Sequence, residues 1–314
     1  MMSRAFKQVD VFTATAYYGN PLAVVLDGTG LSDSQMQHFA HWTNLSETTF
    51  VLPPSPQGLA GGADYQVRIF TPGGELPFAG HPTLGTCHAW LQAGGVPKAT
   101  PMIVQECAVG LVKIRHKGAR LAFAAPPLKR SNPSPAVLAR VAAALGLKAD
   151  QIIAAQILDN GPVWLGLLLD ERQTVLQLTP DHLTLKNLDI KVGVASVEPA
   201  QAAPVLIARI NREAQAFGAR TAEPAPVHGA ADATELEVRA FAAPMGVNED
   251  PVTGSFNAAL AQWLIADQLA PSRYVAAQGT CIGRAGRVHI EQDAAGQVWV
   301  GGDSVTCIDG QVSL

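Results

Sequence analysis

Runs of β-branched and apolar residues, separated by turn-forming clusters, set the first elements. Val9-Asp10-Val11-Phe12 and Leu22-Ala23-Val24-Val25-Leu26 flank Gly19-Asn20-Pro21, which predicts two strands and a turn. The period then changes. Ser32 with Gln35 has capping-box spacing, and Met36, Phe39, Ala40 and Thr43 fall on one stripe of a helix that Asn44 ends. Ser46-Glu47 opens a strand over Thr48–Leu52, stopped by Pro53-Pro54. Tyr65–Phe70 predicts the next strand, followed by a loop over Thr71–Gly80, a helix from His81, and strands at Met102–Gln105, Leu111–Arg115 and Leu121–Ala124. Pro126-Pro127 and Ser131–Pro135 mark a crossover. Beyond it the pattern predicts a helix over Ala136–Leu145, strands at Val163–Leu169 and Val205–Ala208, and a Pro/Ala-rich loop at Ala222–Ala233. A strand at Glu237–Phe241, a second helix after Asp250, and strands at Val288–Glu291, Val298–Val300 and Val305–Ile308 close the chain. Many strands, few helices and no regular βαβ alternation predict an α+β fold.

Part of this pattern occurs twice. Pro82, Gly85, Ala89 and Leu91 are matched 169 positions later by Pro251, Gly254, Ala258 and Leu260, while Thr86 falls on Ser255 and His88 on Asn257. Upstream, Val67-Arg68-Ile69-Phe70 is echoed by Val238-Arg239-Ala240-Phe241. So long a period indicates duplication of a domain rather than a solenoid. If the copies pack as mirror halves, two helix N-termini face one cleft, and their free N–H groups and positive dipole ends would receive a small anion.

Composition narrows the partners. At 314 residues the length prior suggests two domains. Hydrophobic residues at 48% against 15% charged describe a compact chain without a disordered, charged tail. The net charge of −4 supplies no basic field for nucleic acid or anionic lipid. The apolar run Val163–Leu169 is too short to span a bilayer, and the N-terminal residues carry no signal-peptide core, so the cytoplasm is the expected location. Cys87, Cys107, Cys281 and Cys307 lack C-x-x-C spacing and read as reduced thiols. There is no P-loop and no G-x-S-x-G elbow. Gly279–Gly286 lacks dinucleotide spacing, and His38 and His41 have no third ligand in view. The expected site therefore holds no metal and no cofactor.

Against this background Asn44-Leu45-Ser46-Glu47-Thr48, Arg68-Ile69-Phe70-Thr71-Pro72, Glu75 through Gly85 and Glu249-Asp250-Pro251-Val252-Thr253-Gly254-Ser255 resemble the signature blocks of the PhzF family. These are phenazine-biosynthesis isomerase-like proteins that share the diaminopimelate epimerase fold. Gly19–Val25, Gln278-Gly279 and Gly283-Arg284 match further blocks, and the similarity runs from about residue 8 to the C-terminus. The resemblance implies two pseudo-symmetric domains, each a β-sheet wrapped around a central helix, with the active site between them. On that basis residues 1–122 plus 300–314 form one epimerase-like domain and 123–299 the other. It also implies a homodimer.

The resemblance implies that Glu47 is the general acid/base that moves a proton between carbons of a small cyclic carboxylate. A carboxyl in apolar company, here Leu45, Phe50 and Val51, has a raised pKa and can both take and release a proton near neutrality. From spacing alone Glu47 reads rather as an exposed strand-edge residue, and the matched block is what favours catalysis. His81 and Asp250, at the heads of the repeated helices, are implied to be catalytic-site residues that bind substrate and help relay or hold the proton. Asp250-Pro251 is just as much an N-cap followed by an N1 proline. Gly80, Gly254 and Ser255 are expected to hold the substrate carboxylate through backbone N–H groups and one hydroxyl, although Gly80 is also an ordinary helix-start glycine. The duplicated Arg68 and Arg239 read as sheet supports, and Asn20 either shapes the pocket floor or, as the plainer reading, is a turn asparagine.

Thiol-dependent epimerases of this fold carry a cysteine at each helix head. Gly80-His81 and Glu249-Asp250 stand there instead, which disfavours two-thiol racemization and favours a single-carboxyl shuttle. Val252 and Phe256 depart from the commonest family wording and could reshape the pocket. The main expectation is a cofactor-independent isomerase. The alternatives are an amino-acid or hydroxy-acid racemase or epimerase, and a non-catalytic small-anion binder of the same fold.

Overall fold

The computed structural model describes residues 2–118, 120–197 and 234–314. The expected strand Val205–Ala208 and loop Ala222–Ala233 lie outside these residues.

In the first half, β1 (Ser3–Val11) and β2 (Asn20–Val25) are joined by a loop over residues 12–19 and pair antiparallel, with Asn20 and Pro21 of the expected turn opening β2 instead. Helix α1 (Asp33–Thr43) starts where the capping box places it. The Ser32 Oγ accepts the Gln35 amide hydrogen, the Gln35 side chain accepts the Ser32 amide hydrogen, and Asn44 ends the helix in the left-handed region. Strand β3 (Glu47–Leu52) runs parallel to β2. After the short helix α2 (Pro56–Ala60), strand β4 (Tyr65–Thr71) runs antiparallel to β3, with β5 (Gly74–Leu76) beside it. Helix α3 (Gly80–Gln92) follows, and then β6 (Met102–Cys107), β7 (Gly110–Lys117) and β8 (Arg120–Ala124) form a meander whose first strand lies parallel to β4.

The second half repeats this order of pairings. After β9 (Lys129–Ser131) and α4 (Pro135–Leu145), strand β10 (Ile152–Asp159) pairs antiparallel with β11 (Val163–Leu169). The short helices α5 (Arg172–Gln177) and α6 (His182–Asn187) lead to β12 (Val192–Val197), parallel to β11. Strand β13 (Leu236–Phe241) is antiparallel to β12. Helix α7 (Gly254–Ala266) follows. Strand β14 (Arg273–Gln278) lies parallel to β13, and β15 (Gly286–Gln292) and β16 (Val298–Gly302) complete a second meander. Strand for strand, β1, β2, β3, β4, β6, β7 and β8 have the pairing senses of β10 through β16. The halves are joined by antiparallel pairing of β8 with β16, and β17 (Ser304–Ser313) returns to pair along β1.

Helices α3 and α7 occupy equivalent places and are the most enclosed elements. Gly80 through Cys87 are buried without interruption, as are Gly254 through Ala261. A helix that is apolar all round can be stable only when sheet covers every face, and each buried Leu, Phe or Trp contributes about 1.5–3 kcal/mol relative to exposure. Phe256 and Trp263 of α7 are both nearly fully buried. The two helices do not start at equivalent residues. Helix α3 includes His81-Pro82, whereas Asp250 through Thr253 stay outside α7. Side chains hold that segment instead. Asn20 donates to the Val252 carbonyl, and Gln278 both accepts from the Thr253 amide and donates to the Asp250 carbonyl.

Candidate active site

Asn20, the first residue of β2, is completely buried. Its Nδ2 donates to Asp250 Oδ1 at 2.9 Å and to the Val252 carbonyl at 2.9 Å, using both amide hydrogens and fixing the amide orientation. The same nitrogen lies 3.3 Å from His81 Nδ1. On the other side of the ring, His81 Nε2 lies 3.3 Å from Glu47 Oε2. Neither Nε2 nor Oε2 has a hydrogen-bond partner. The expectation that Asn20 is a turn asparagine is therefore corrected. It ties the two halves together and touches both helix-head residues.

The capping alternative for Asp250 is corrected as well. Thr253 is the N-cap of α7, and the Asp250 carboxylate accepts from the Thr253 hydroxyl at 2.6 Å and from Asn20 rather than from helix amides. Gln278 completes the frame. Its Oε1 accepts from Asn257 Nδ2 as well as from the Thr253 amide, and its Nε2 donates to Thr253 Oγ1.

The electrostatics separate the two residues at the centre. Burial, helped by the nearby Asp250 carboxylate, pushes the Glu47 carboxyl up to about 8. Burial pushes His81 down to about 3, so its ring is neutral at ordinary pH. Burial also raises Asp250, against the hydrogen bonds from Thr253 and Asn20 that lower it. Glu47 is not sealed. Its side chain keeps 15% of its exposure, against 4% for His81, and it lines a cleft of about 730 Å³. A carboxyl that titrates near neutrality and opens onto a cleft can exchange a proton with a bound molecule.

Ser255 and Asp250 line the same cleft, together with Ala79 and Thr253 at the two helix starts. Gly80 and Gly254 lie where those starts meet. A methyl group on Gly80 would come within 2.8 Å of the Gly254 Cα, so the close approach requires glycine. The contact pairs the first residues of the two helices, not the residues that the 169-position offset aligns. Arg68 lies away from the cleft, paired with Glu75 and Asp33. Arg239 forks onto Glu249 and two carbonyls, a structural brace as expected. Val252 and Phe256 are fully buried behind the cleft rather than on its wall, and Phe256 reaches it through its ring contact with Trp164.

The structure adds Thr253, Asn257 and Gln278, to which the sequence assigned no role in the site, and it gives Asn20 definite contacts there. The hint for Asn257 was its alignment with His88. Gln278 stood in a noted family block without a role. Among the described residues no cysteine lines the cleft, and no cluster of three His, Cys, Asp or Glu side chains is arranged to hold a metal ion. Among them, too, no helix is long and apolar enough to cross a membrane.

The mixed α/β fold, with a buried carboxyl beside two meeting helix starts, is the one that the comparisons find again. Residues 9–310 match the model of the phenazine biosynthesis-like PhzC-PhzF family, and the chain belongs to that family. Antisense-enhancing sequence 1 of Schizosaccharomyces pombe is 34% identical over 99% of both chains. The trans-2,3-dihydro-3-hydroxyanthranilate isomerase of Pseudomonas aeruginosa is 29% identical over 98% of both. The crystal structure of a PhzF-family phenazine biosynthesis protein from Enterococcus faecalis covers the whole chain with a TM-score of 0.74 at 26% identity. A probable proline racemase from Agrobacterium radiobacter shares the fold, with a TM-score of 0.59. By this relationship the chain is an isomerase.

Proposed function

We propose that this isomerase moves a proton between two carbons of a small cyclic carboxylate, with Glu47 as the only acid/base and no external cofactor. The observation that carries the reading is the Glu47 carboxyl, raised to about 8 yet open to the cleft beside His81. In the first step the Glu47 carboxylate takes a proton from a ring carbon conjugated to the substrate's carboxyl group. The C–H electron pair delocalises toward that carboxyl, and Glu47 becomes the acid. In the second step Glu47 returns the proton to a different carbon, the double bond shifts, and the carboxylate is regenerated.

The developing charge falls on the substrate carboxylate, which in this reading sits at the meeting helix starts, held by amides of Gly80 and Gly254 and by Ser255. Preorganised N–H groups in a water-poor cleft stabilise such charge far better than water does. His81, neutral, packs its Nε2 edge against Glu47, while burial, aided by Asp250 positioned by Asn20 and Thr253, holds the carboxyl pKa high. General acid/base catalysis of this kind supplies roughly 10²–10⁴-fold in rate. The repeated strand pairings support two pseudo-symmetric domains with the site between them, close to residues 1–122 plus 300–314 and 123–299 but divided after β8 and after β16, which those bounds would cut.

The trans-2,3-dihydro-3-hydroxyanthranilate for which the Pseudomonas aeruginosa relative is named is one candidate substrate. The test is Glu47→Gln, in which proton exchange into bound cyclic carboxylates, followed by NMR in deuterated buffer, is expected to vanish while ligand affinity persists. Wild-type exchange rates in the variant would end the proposal. Deuterium incorporated at an inverted stereocentre, with no shift of the double bond, would instead assign an epimerase.

A further inference from the structure

The cleft has one feature that a single-carboxylate ligand leaves unused. Lys191, directly before β12, is the only cationic side chain among the described residues that line it. Its ammonium lies 5.2 Å from the Trp164 ring centroid, a cation–π distance. The three acidic groups on the same cleft are otherwise engaged. Glu249 gives both oxygens to Arg239, Asp250 is bonded to Asn20 and Thr253, and Glu47 faces His81. Lys191 therefore carries a positive charge with no carboxylate partner among the described residues.

Its place is built rather than accidental. The Trp164 ring is held by Phe256 of α7 at 5.4 Å between centroids. Phe256 in turn fills the space above Gly193, where a methyl group would meet its ring. Asn160 at the end of the β10–β11 hairpin is buried, and it donates to the Ser255 carbonyl, which ties this wall to the start of α7. The lysine backbone is pinned by the Leu165 amide, which donates to its carbonyl at 2.8 Å. Burial also lowers the Lys191 pKa, as expected for a cation awaiting a counter-charge. The helix starts supply neutral N–H groups for one anion, and Lys191 supplies a full charge elsewhere on the cleft.

We propose that Lys191 is a specificity residue that binds a second acidic group of the substrate, so that the natural substrate is a small cyclic diacid. This deepens the isomerase reading and rests on it for the first carboxylate. A lysine ammonium acts as a point charge, and a charge-assisted hydrogen bond of this kind is worth about ten- to a hundredfold in affinity.

The test compares the binding of cyclohexenecarboxylate and the isomeric cyclohexenedicarboxylates by calorimetry in the wild type, Lys191→Met and Lys191→Arg. The wild type is expected to prefer at least one diacid. Lys191→Met should lose about tenfold or more of its affinity for that diacid while keeping its affinity for the monoacid, and Lys191→Arg should restore most of the loss. The retained monoacid affinity shows that Lys191→Met is folded. Equal loss of both ligands in Lys191→Met, no loss of either, or no diacid preference in the wild type overturns the proposal. Monoacid exchange through Glu47 without diacid preference sinks this inference and leaves the isomerase standing. Lysine-dependent diacid binding without any proton exchange does the reverse.

Discussion

At the scale of single residues, the site is governed by which groups lose water without gaining a partner. Glu47 Oε2 and His81 Nε2 face each other at 3.3 Å, and neither has a hydrogen-bond partner. Such pairs are costly in stability and tend to persist where chemistry needs them. Two predictions follow from their titration. If Glu47 removes the proton as the carboxylate, kcat/KM for the exchanged substrate rises with pH and reaches half its plateau near 8. Asp250→Asn, by removing the neighbouring carboxylate, should move that midpoint to lower pH without abolishing it, because burial is the larger cause. A midpoint unmoved in Asp250→Asn would show that the carboxylate does not act on Glu47. Stability gives an independent readout. Glu47 is ordinarily half-protonated at 4.5 and here at about 8, so between these values the folded chain binds more protons than the unfolded one and loses stability as pH rises. His81 works oppositely, with stability rising between about 3 and 6.5. Because His81 is common to both proteins, the melting temperature of Glu47→Gln relative to wild type should climb from about pH 4.5 to 8 and then level off. A flat difference across that range would contradict the raised carboxyl.

At the scale of elements, glycines set how closely the helix starts approach. Gly80→Ala places a methyl group 2.8 Å from Gly254 Cα and 2.9 Å from the Phe123 ring, with backbone on one side that cannot step aside. Overpacking of this kind costs about 1–3 kcal/mol, and it should also weaken carboxylate binding by spreading the two starts. Denaturant unfolding and ligand titration check the two effects together. The control is Ser32→Ala on α1, where losing the capping box should cost about 1 kcal/mol and leave binding unchanged. These elements also show what could be read from the chain. Helix α1 was legible to the residue because its signals, Ser32, Gln35 and Asn44, are local. Strands β10 and β14 were missed because Ile152–Asp159 and Arg273–Gln278 are alanine-containing segments of weak strand preference. They become strands through pairing with β11 and β15. The common origin of α3 and α7 was visible in the repeat. Their different starting residues were not, since Asp250 through Thr253 are kept out of α7 by side chains of Asn20 and Gln278.

At the scale of the whole molecule, the site depends on contacts that no local pattern could reveal. Asn20 is 61 positions from His81 and 230 from Asp250, and only the folded arrangement brings the three together. Glu47, His81, Asp250 and Ser255 could be singled out because family blocks surround them. Lys191 and Gln278 acquire their significance only from neighbours distant in sequence, whereas Thr253 lies inside such a block, three residues from the Asp250 it binds. The same long-range logic governs stability. Strand β17 pairs with β1 from Ser3–Ser313 to Val11–Ser304, and β1 carries β2, whose first residue is Asn20. The C-terminal strand is thus two steps from the frame of the candidate site, although β17 itself contributes no residue to the cleft wall. Deleting residues 304–314 exposes an unpaired β1 edge, an invitation to aggregation, and removes the support beneath β2. The truncated chain should therefore show fast hydrogen exchange along β1 and β2 and lose proton exchange activity, while the amides of β12 and β13 stay protected. Uniform loss of protection in both halves would instead mean that the molecule unfolds as one unit through the β8–β16 pairing. Unchanged protection of β1 would mean that the returning strand supports nothing.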